Sequence, residues 1–296
     1  MASKFRFRRS FGNVSSRFRG AIPKHFPLFT GLLDDFGGAA AAYSLRALSR
    51  GWVAGDVVEV RRSSDSTTQD FTAAQVADGT LTTFTGAGDG FVSIWYDQSG
   101  NANNATQAVT TAQPKIVSAG ALVVGGLDFD GVDDVLMAND VASYLSGDAI
   151  QMSNFSVSNT DVSNVNASLY RLGNSGNSQP LKGWQYRSTA QYGLLYRADD
   201  GTSALDLLIN SYAINTNYLH SLTVNSSELA NGYANGAVLS DLVDHDVNIG
   251  AITLDDFSIG STSFDGQLAE LIIYASDQSA NRVAIETNIN AAYTIF

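Results

Sequence analysis

The chain has 296 residues, 44% of them hydrophobic, so it can bury a sizeable core and falls outside the disordered class. It has no cysteine, which excludes disulfide staples, thiolate zinc ligands and a cysteine nucleophile. Its net charge of −12 is unevenly placed: residues 1–24 hold seven of the seventeen basic residues and no acid, and the remainder carries ten basic against twenty-nine acidic residues, a net of −19.

Residues 1–33 read as an extended basic arm. Arginine alternates with phenylalanine, and Pro23 and Pro27 disfavour a helix. Arginine and aromatic residues dominate protein-interface hot spots, so Phe5, Arg6, Phe7, Arg8, Arg9, Phe11, Arg17, Phe18 and Arg19 are candidate anchors on a partner protein. The stretch has no apolar core of the kind a secretion signal carries. The acidic body repels nucleic acid and anionic membranes, so neither is an expected partner, and no apolar run approaches membrane-spanning length.

The body is expected to span 34–296. Ala39 to Ser49 is rich in helix formers and stops at Gly51, which predicts a helix. Residues 56–62 alternate as a strand, 63–70 form a turn, and 71–84 read as a short strand or helix with a loop. Short strands follow near 115–124, 126–130, 134–138, 149–159, 165–172, 182–188, 192–197, 204–211, 217–225, 229–234, 237–239, 257–260 and 265–274. Two Asn-Gly pairs, Asn231-Gly232 and Asn235-Gly236, mark hairpin turns. The end fits a helix from Ser279 to Tyr293, with Ser279 as N-cap and Val283, Ile285, Ile289 and Ala292 as its apolar stripe. Many short strands with few helices predict a mostly β protein, an antiparallel two-sheet jelly-roll β-sandwich with a short C-terminal helix.

The segment Trp95-Tyr96-Asp97-Gln98-Ser99-Gly100-Asn101-Ala102-Asn103-Asn104-Ala105-Thr106-Gln107 is the most distinctive stretch. A strand here delivers two aromatics into a loop whose Asp, Asn and Ser residues hydrogen-bond their own backbone. Trp95 and Tyr96 could stack on a sugar, and Asp97, Asn101 and Asn103 could bind its hydroxyls, which makes these five the glycan-binding candidates. The competing reading is a rigid corner in which Asp97 forms an Asx turn and alternation sends one of the two aromatics inward. Asp128, Asp130, Asp133 and Asp134 supply hard oxygen ligands suited to Ca²⁺, or else form a solvated hairpin turn; Phe129 and Gly131-Val132 break the EF-hand pattern. No other cofactor is expected. His25, His220 and His245 are too scattered for a zinc site or a Ser-His-Asp triad, and residues 86–90 lack the lysine of a phosphate loop.

The corner string, together with Ala42-Tyr43-Ser44-Leu45-Arg46-Ala47-Leu48 and Val60-Arg61-Arg62-Ser63-Ser64-Asp65-Ser66-Thr67-Thr68, resembles the catalytic sandwich domain of fungal-type α-L-arabinofuranosidase B enzymes. The C-terminal third, with Phe257-Ser258-Ile259-Gly260 and Phe264-Asp265-Gly266-Gln267-Leu268, is similar to concanavalin A-like and laminin G-like modules, and such modules also resemble structural proteins of tailed bacteriophages. The resemblance covers roughly 35–296 and implies a concanavalin A-like sandwich. The resembling hydrolases use two carboxylates, yet the stretch that carries their acid reads Gly260-Ser261-Thr262-Ser263 here, without one. Hydrolysis is therefore not the expected activity; its catalytic candidates would be Asp199 or Asp200, paired with Asp265 or Asp97. The resemblance and the charge segregation together imply a virion structural protein, assembled in the host cytoplasm. Its arm would dock on capsid or tail proteins and engage a neighbouring subunit in a homo-oligomer, and its surface would meet a host glycan. A carbohydrate-binding module or an arabinofuranosidase-like hydrolase is the alternative.

Overall fold

The computed structural model describes residues 29–147, 151–162, 166–187, 191–197, 204–227, 230–238, 253–261 and 263–296. The candidate anchors between Phe5 and Arg19, the two histidines His25 and His245, and the catalytic candidates Asp199 and Asp200 lie outside the described residues.

The body begins with one helical turn, α1 (Leu32–Asp35), followed by β1 (Ala39–Ser44), β2 (Asp56–Arg62) and β3 (Thr68–Thr72). Leu32, at the end of the expected arm, is buried in the body. Two short helices, α2 (Ala73–Ala77) and α3 (Thr80–Thr85), lead into β4 (Gly90–Trp95). The first is set by a capping box that the sequence carries, in which Thr72 and Gln75 bond each other's backbone. Then come β5 (Ala105–Thr106), β6 (Lys115–Ser118), β7 (Ala121–Leu122), β8 (Leu127–Asp130), β9 (Leu136–Met137) and α4 (Asp140–Tyr144). The second half runs β10 (Met152–Ser158), β11 (Ala167–Asn174), β12 (Asn177–Arg187), β13 (Gln191–Arg197), β14 (Ala204–Ser211), β15 (Tyr218–Val224), β16 (Ala230–Ala234) and β17 (Ala237–Val238). It closes with β18 (Asp256–Ile259), β19 (Asp265–Tyr274) and α5 (Arg282–Tyr293).

Every pairing among the described strands is antiparallel. One layer runs β1-β19-β10-β15-β16-β17. The other carries β3-β2-β4, continues through β5 and β9, and reaches β18-β11-β12-β13-β14. β19 pairs with β8 over its first residues and with β1 and β10 further along, which ties the layers into one network. The main core lies between the layers, with Tyr43, Leu222 and Ile273 on one side and Val58, Phe71, Trp95, Trp184 and Phe257 on the other. The expected antiparallel sandwich is the observed fold. No helix among the described residues is long and apolar enough to cross a membrane.

Three local expectations need correction. Ala39–Ser44 is a strand, not a helix, and all six residues are buried. Ala41 and Tyr43 face the main core, while Ala39 and Ala42 belong to a second cluster with Leu32, Phe155, Ile272, Ile285 and Ile289. A strand covered on both faces loses its alternation and reads as an unbroken apolar run. Next, Asn231-Gly232 lies inside β16; only Asn235-Gly236, with φ of 51° and 76°, makes the hairpin turn. Finally, α5 starts at Arg282 with Asn281 at its cap position, and Val283 and Ala292 are exposed. Its buried face is Ile285, Glu286 and Ile289, laid across β1, β10, β15 and β19.

α5 and the end of β1 also share a polar anchor. Glu270 is fully buried and receives Arg46 through Nε at 2.7 Å and Nη2 at 2.9 Å. The Ser44 hydroxyl donates to it at 2.8 Å and the Tyr293 hydroxyl at 3.1 Å. This bidentate pairing with further donors is how a buried carboxylate is tolerated.

Candidate functional site

β4 leads into the corner with a change of phase. Val58 pairs with Trp95 and Glu59 with Ile94, but Val60 pairs with Val92, so Ser93 is an extra residue in the ladder. The bulge turns both Val92 and Trp95 inward. Trp95 is fully buried against Tyr43, ring centroids 5.6 Å apart, and offers no face to a ligand. Tyr96 is half-buried and donates to Asp70 at 2.6 Å; burial and that carboxylate push its phenol well above the usual range.

Asp97 is fully buried. Its Oδ1 accepts from the Ala42 and Ser99 amides at 2.8 and 2.9 Å, and its Oδ2 from the Ser99 hydroxyl and the Asn103 amide at 2.7 and 3.0 Å. Four donors occupy the carboxylate, so Asp97 is a fixing residue of the corner and not a sugar ligand. Gln98 accepts from the Leu48 amide and donates to the Ser44 and Arg46 carbonyls. Its own amide donates to the Ala42 carbonyl. Asn101 donates to the Ala39 and Ala40 carbonyls, and Asn103 to Ala40. β1 is paired on one edge by β19; on its other edge these corner side chains take the place of a neighbouring strand.

Beside this edge the corner borders two pockets. One, of about 280 Å³, is lined by Ala102, Asn103, Asn104, Thr106, Met137 and Ala138, with Asn139 and Asp140 where α4 begins. The other, of about 210 Å³, is lined by Gly38–Ala40, Ser99, Asn101, Tyr144 and Ala275. α4 borders both, contributing Asp140 to the first and Tyr144, 43% exposed, to the second. Ala102 holds a left-handed φ of 60° between them, a strained choice for a residue with a Cβ. Of the five glycan candidates, the structure brings Asn101 and Asn103 to these pockets. Trp95 is in the core, Asp97 is occupied and Tyr96 turns to Asp70. Asn104, Asn139, Asp140 and Tyr144 were not singled out in the sequence. The last three follow the corner by more than thirty residues, and only the fold places them beside it.

The acidic residues gather elsewhere. Asp128 and Asp130 point outward from β8, and Asp265 pairs with Asp130 across β19. Asp130, Asp133 and Asp134 can each offer a carboxylate oxygen within 4.8 Å of the others, hard donors of the type Ca²⁺ takes. Lys115 lines the same pocket as Asp128, Asp130 and Asp134 and competes for their charge. Gln267 donates to Asp128 at 2.5 Å and to Asp161 at 3.0 Å. Burial first, then Asp130, lifts the Asp134 carboxyl to about 7. Asp128 and Asp265 are also raised, chiefly by burial. Asp265 thus belongs to this group rather than to the corner. His220, fully buried between Trp184 and Tyr218, is pushed down to about 3 by burial and is a core residue.

No protein-family model matches the sequence, and no curated protein matches it. Among solved structures, a GH54 α-L-arabinofuranosidase soaked with a cyclic sulfate inhibitor is similar, with a TM-score of 0.58 and 17% identity over 86% of this chain. The chain spans 63% of that protein's length. Trypanosoma rangeli sialidase with sialic acid (TM-score 0.49, 16% identity) matches over 68% of this chain and 31% of its own. The Ruminococcus gnavus IT-sialidase CBM40 bound to α2,3-sialyllactose (0.43, 17%) matches over 50% and 86%. At these identities the likeness is one of fold, and the chain is an antiparallel β-sandwich similar in architecture to the GH54 arabinofuranosidase.

Proposed function

We propose that this chain is a glycan-binding β-sandwich whose ligand lies in the groove formed by residues 99–106 and α4. One observation carries the reading: polar side chains of the corner and α4 line two neighbouring pockets, with the exposed ring of Tyr144 at one of them. Sugar sites combine hydrogen-bonding amides and carboxylates with an aromatic platform, and the fold is shared with a sugar-handling protein. Asp97, buried and accepting four hydrogen bonds, is committed to the corner and is unsuited to an acid or nucleophile role. A glycan array of the full chain, run with and without calcium, tests the reading. Binding that falls at least tenfold in Asn104→Ala and Tyr144→Ala supports it; no binding in either condition removes it.

The charge segregation favours a second, compatible role. Seven basic residues without an acid in residues 1–24, ahead of a body of −19, suit an arm that anchors an oligomeric sandwich to the capsid or tail of a bacteriophage particle. Deleting residues 1–24 should leave a folded body that no longer joins the particle. Normal assembly of the truncated chain would sink that role.

A further inference from the structure

The first of the two pockets is built from half-anchored groups. Asn103 is held by donating through Nδ2 to the Ala40 carbonyl at 2.8 Å, which leaves its Oδ1 as an acceptor. Asn104 is held through Oδ1, which accepts the Asp97 amide at 3.0 Å and leaves Nδ2 as a donor. Asn139 is held through Oδ1, which accepts the Phe257 amide at 3.3 Å and leaves Nδ2 as a second donor. These backbone partners fix which end of each amide is nitrogen. The Asp140 carboxylate, exposed at the first residue of α4, accepts no hydrogen bond from the described residues. The pocket therefore offers two neutral donors, one carbonyl acceptor, one carboxylate and the Thr106 hydroxyl. Among the described residues, no lysine, arginine or histidine lines either pocket.

Resting on the glycan reading above, we propose that this groove selects uncharged sugars and rejects sialylated or uronic acid-bearing ones. A sugar hydroxyl both donates and accepts, so adjacent hydroxyls can satisfy the donors and the acceptors of this set together. A sugar carboxylate can only accept. It would meet Asp140 as a like charge, find no guanidinium or ammonium to pair with, and approach a body of net −19. Recognition of a planar carboxylate is the task for which proteins use arginine, and the described residues of this groove include none.

The test measures the affinity of the full chain for matched pairs of glycans that differ only in a sialic or uronic acid. Pairs are compared at low and high salt, with Asp140→Asn alongside. The expected result is binding of the neutral member, with its anionic counterpart weaker by about tenfold or more at low salt. The gap should narrow at about 1 M salt, where the screening length falls to about 3 Å, and in Asp140→Asn. Equal or tighter binding of the anionic member overturns the proposal. So does a gap that Asp140→Asn leaves unchanged. Failure of both members to bind overturns the underlying glycan reading instead.

Discussion

Asp97 holds the corner because its two oxygens accept four hydrogen bonds from Ala42, Ser99 and Asn103. Each buried donor left without an acceptor costs about 1–3 kcal/mol, and water can reach some of them, so Asp97→Ala should lose about 4 kcal/mol in denaturant unfolding. Asp134 acts in the opposite direction. Its carboxyl titrates near 3.9 in an unfolded chain and near 7 in the fold, so the folded state holds the extra proton between these values. Stability is therefore greatest below that window and falls as pH rises through it toward 7. Asp134→Asn removes this titration, and its melting temperature should exceed wild type by roughly 5 °C at pH 8 and by little at pH 4. Identical shifts at both pH values would contradict the burial argument. At this scale the sequence was half legible. That Asp97 forms an Asx turn follows from its residue type and neighbours. That Trp95, and not Tyr96, goes inward depends on the bulge at Ser93, which strict alternation does not reveal.

The elements show what a period can and cannot tell. Strands with one wet face, such as β2 and β8, are located within a residue or two by their alternation. β1 resembles a helix in sequence because α5 covers one of its faces and the main core the other, which removes the alternation, and four consecutive alanines suit either geometry. The missing cue is the corner itself, whose side chains bond the free edge of β1 from 54 to 63 residues away in sequence. The helical stripe of α5 separates two outcomes. Ile289 is fully buried and Val283 is 62% exposed. Ile289→Ala should cost about 3 kcal/mol by removing packed methylenes. Val283→Ala should change stability by less than about 0.5 kcal/mol. Equal effects in thermal melts would mean that α5 does not pack as described.

For the whole molecule, fold class and charge asymmetry were legible, because many short alternating runs, tight turns and few helices leave little but a sandwich. The candidate groove was only partly legible. Asn101 and Asn103 stand in the distinctive string, but Asn139, Asp140 and Tyr144 reach it through α4, and no local pattern connects them. The acidic cluster, by contrast, was visible as a run of aspartates, and the structure adds Asp161 and Asp265 to it. The central claim is that the corner, rigid because it completes the edge of β1, presents a sugar-binding groove on its outer side. A crystal structure of the full chain with its best-bound neutral oligosaccharide tests this most directly. The account predicts the sugar between residues 99–106 and α4, bonded to Asn104, Asn139 and Asp140. A sugar seated on any other surface, with that groove empty, would contradict it.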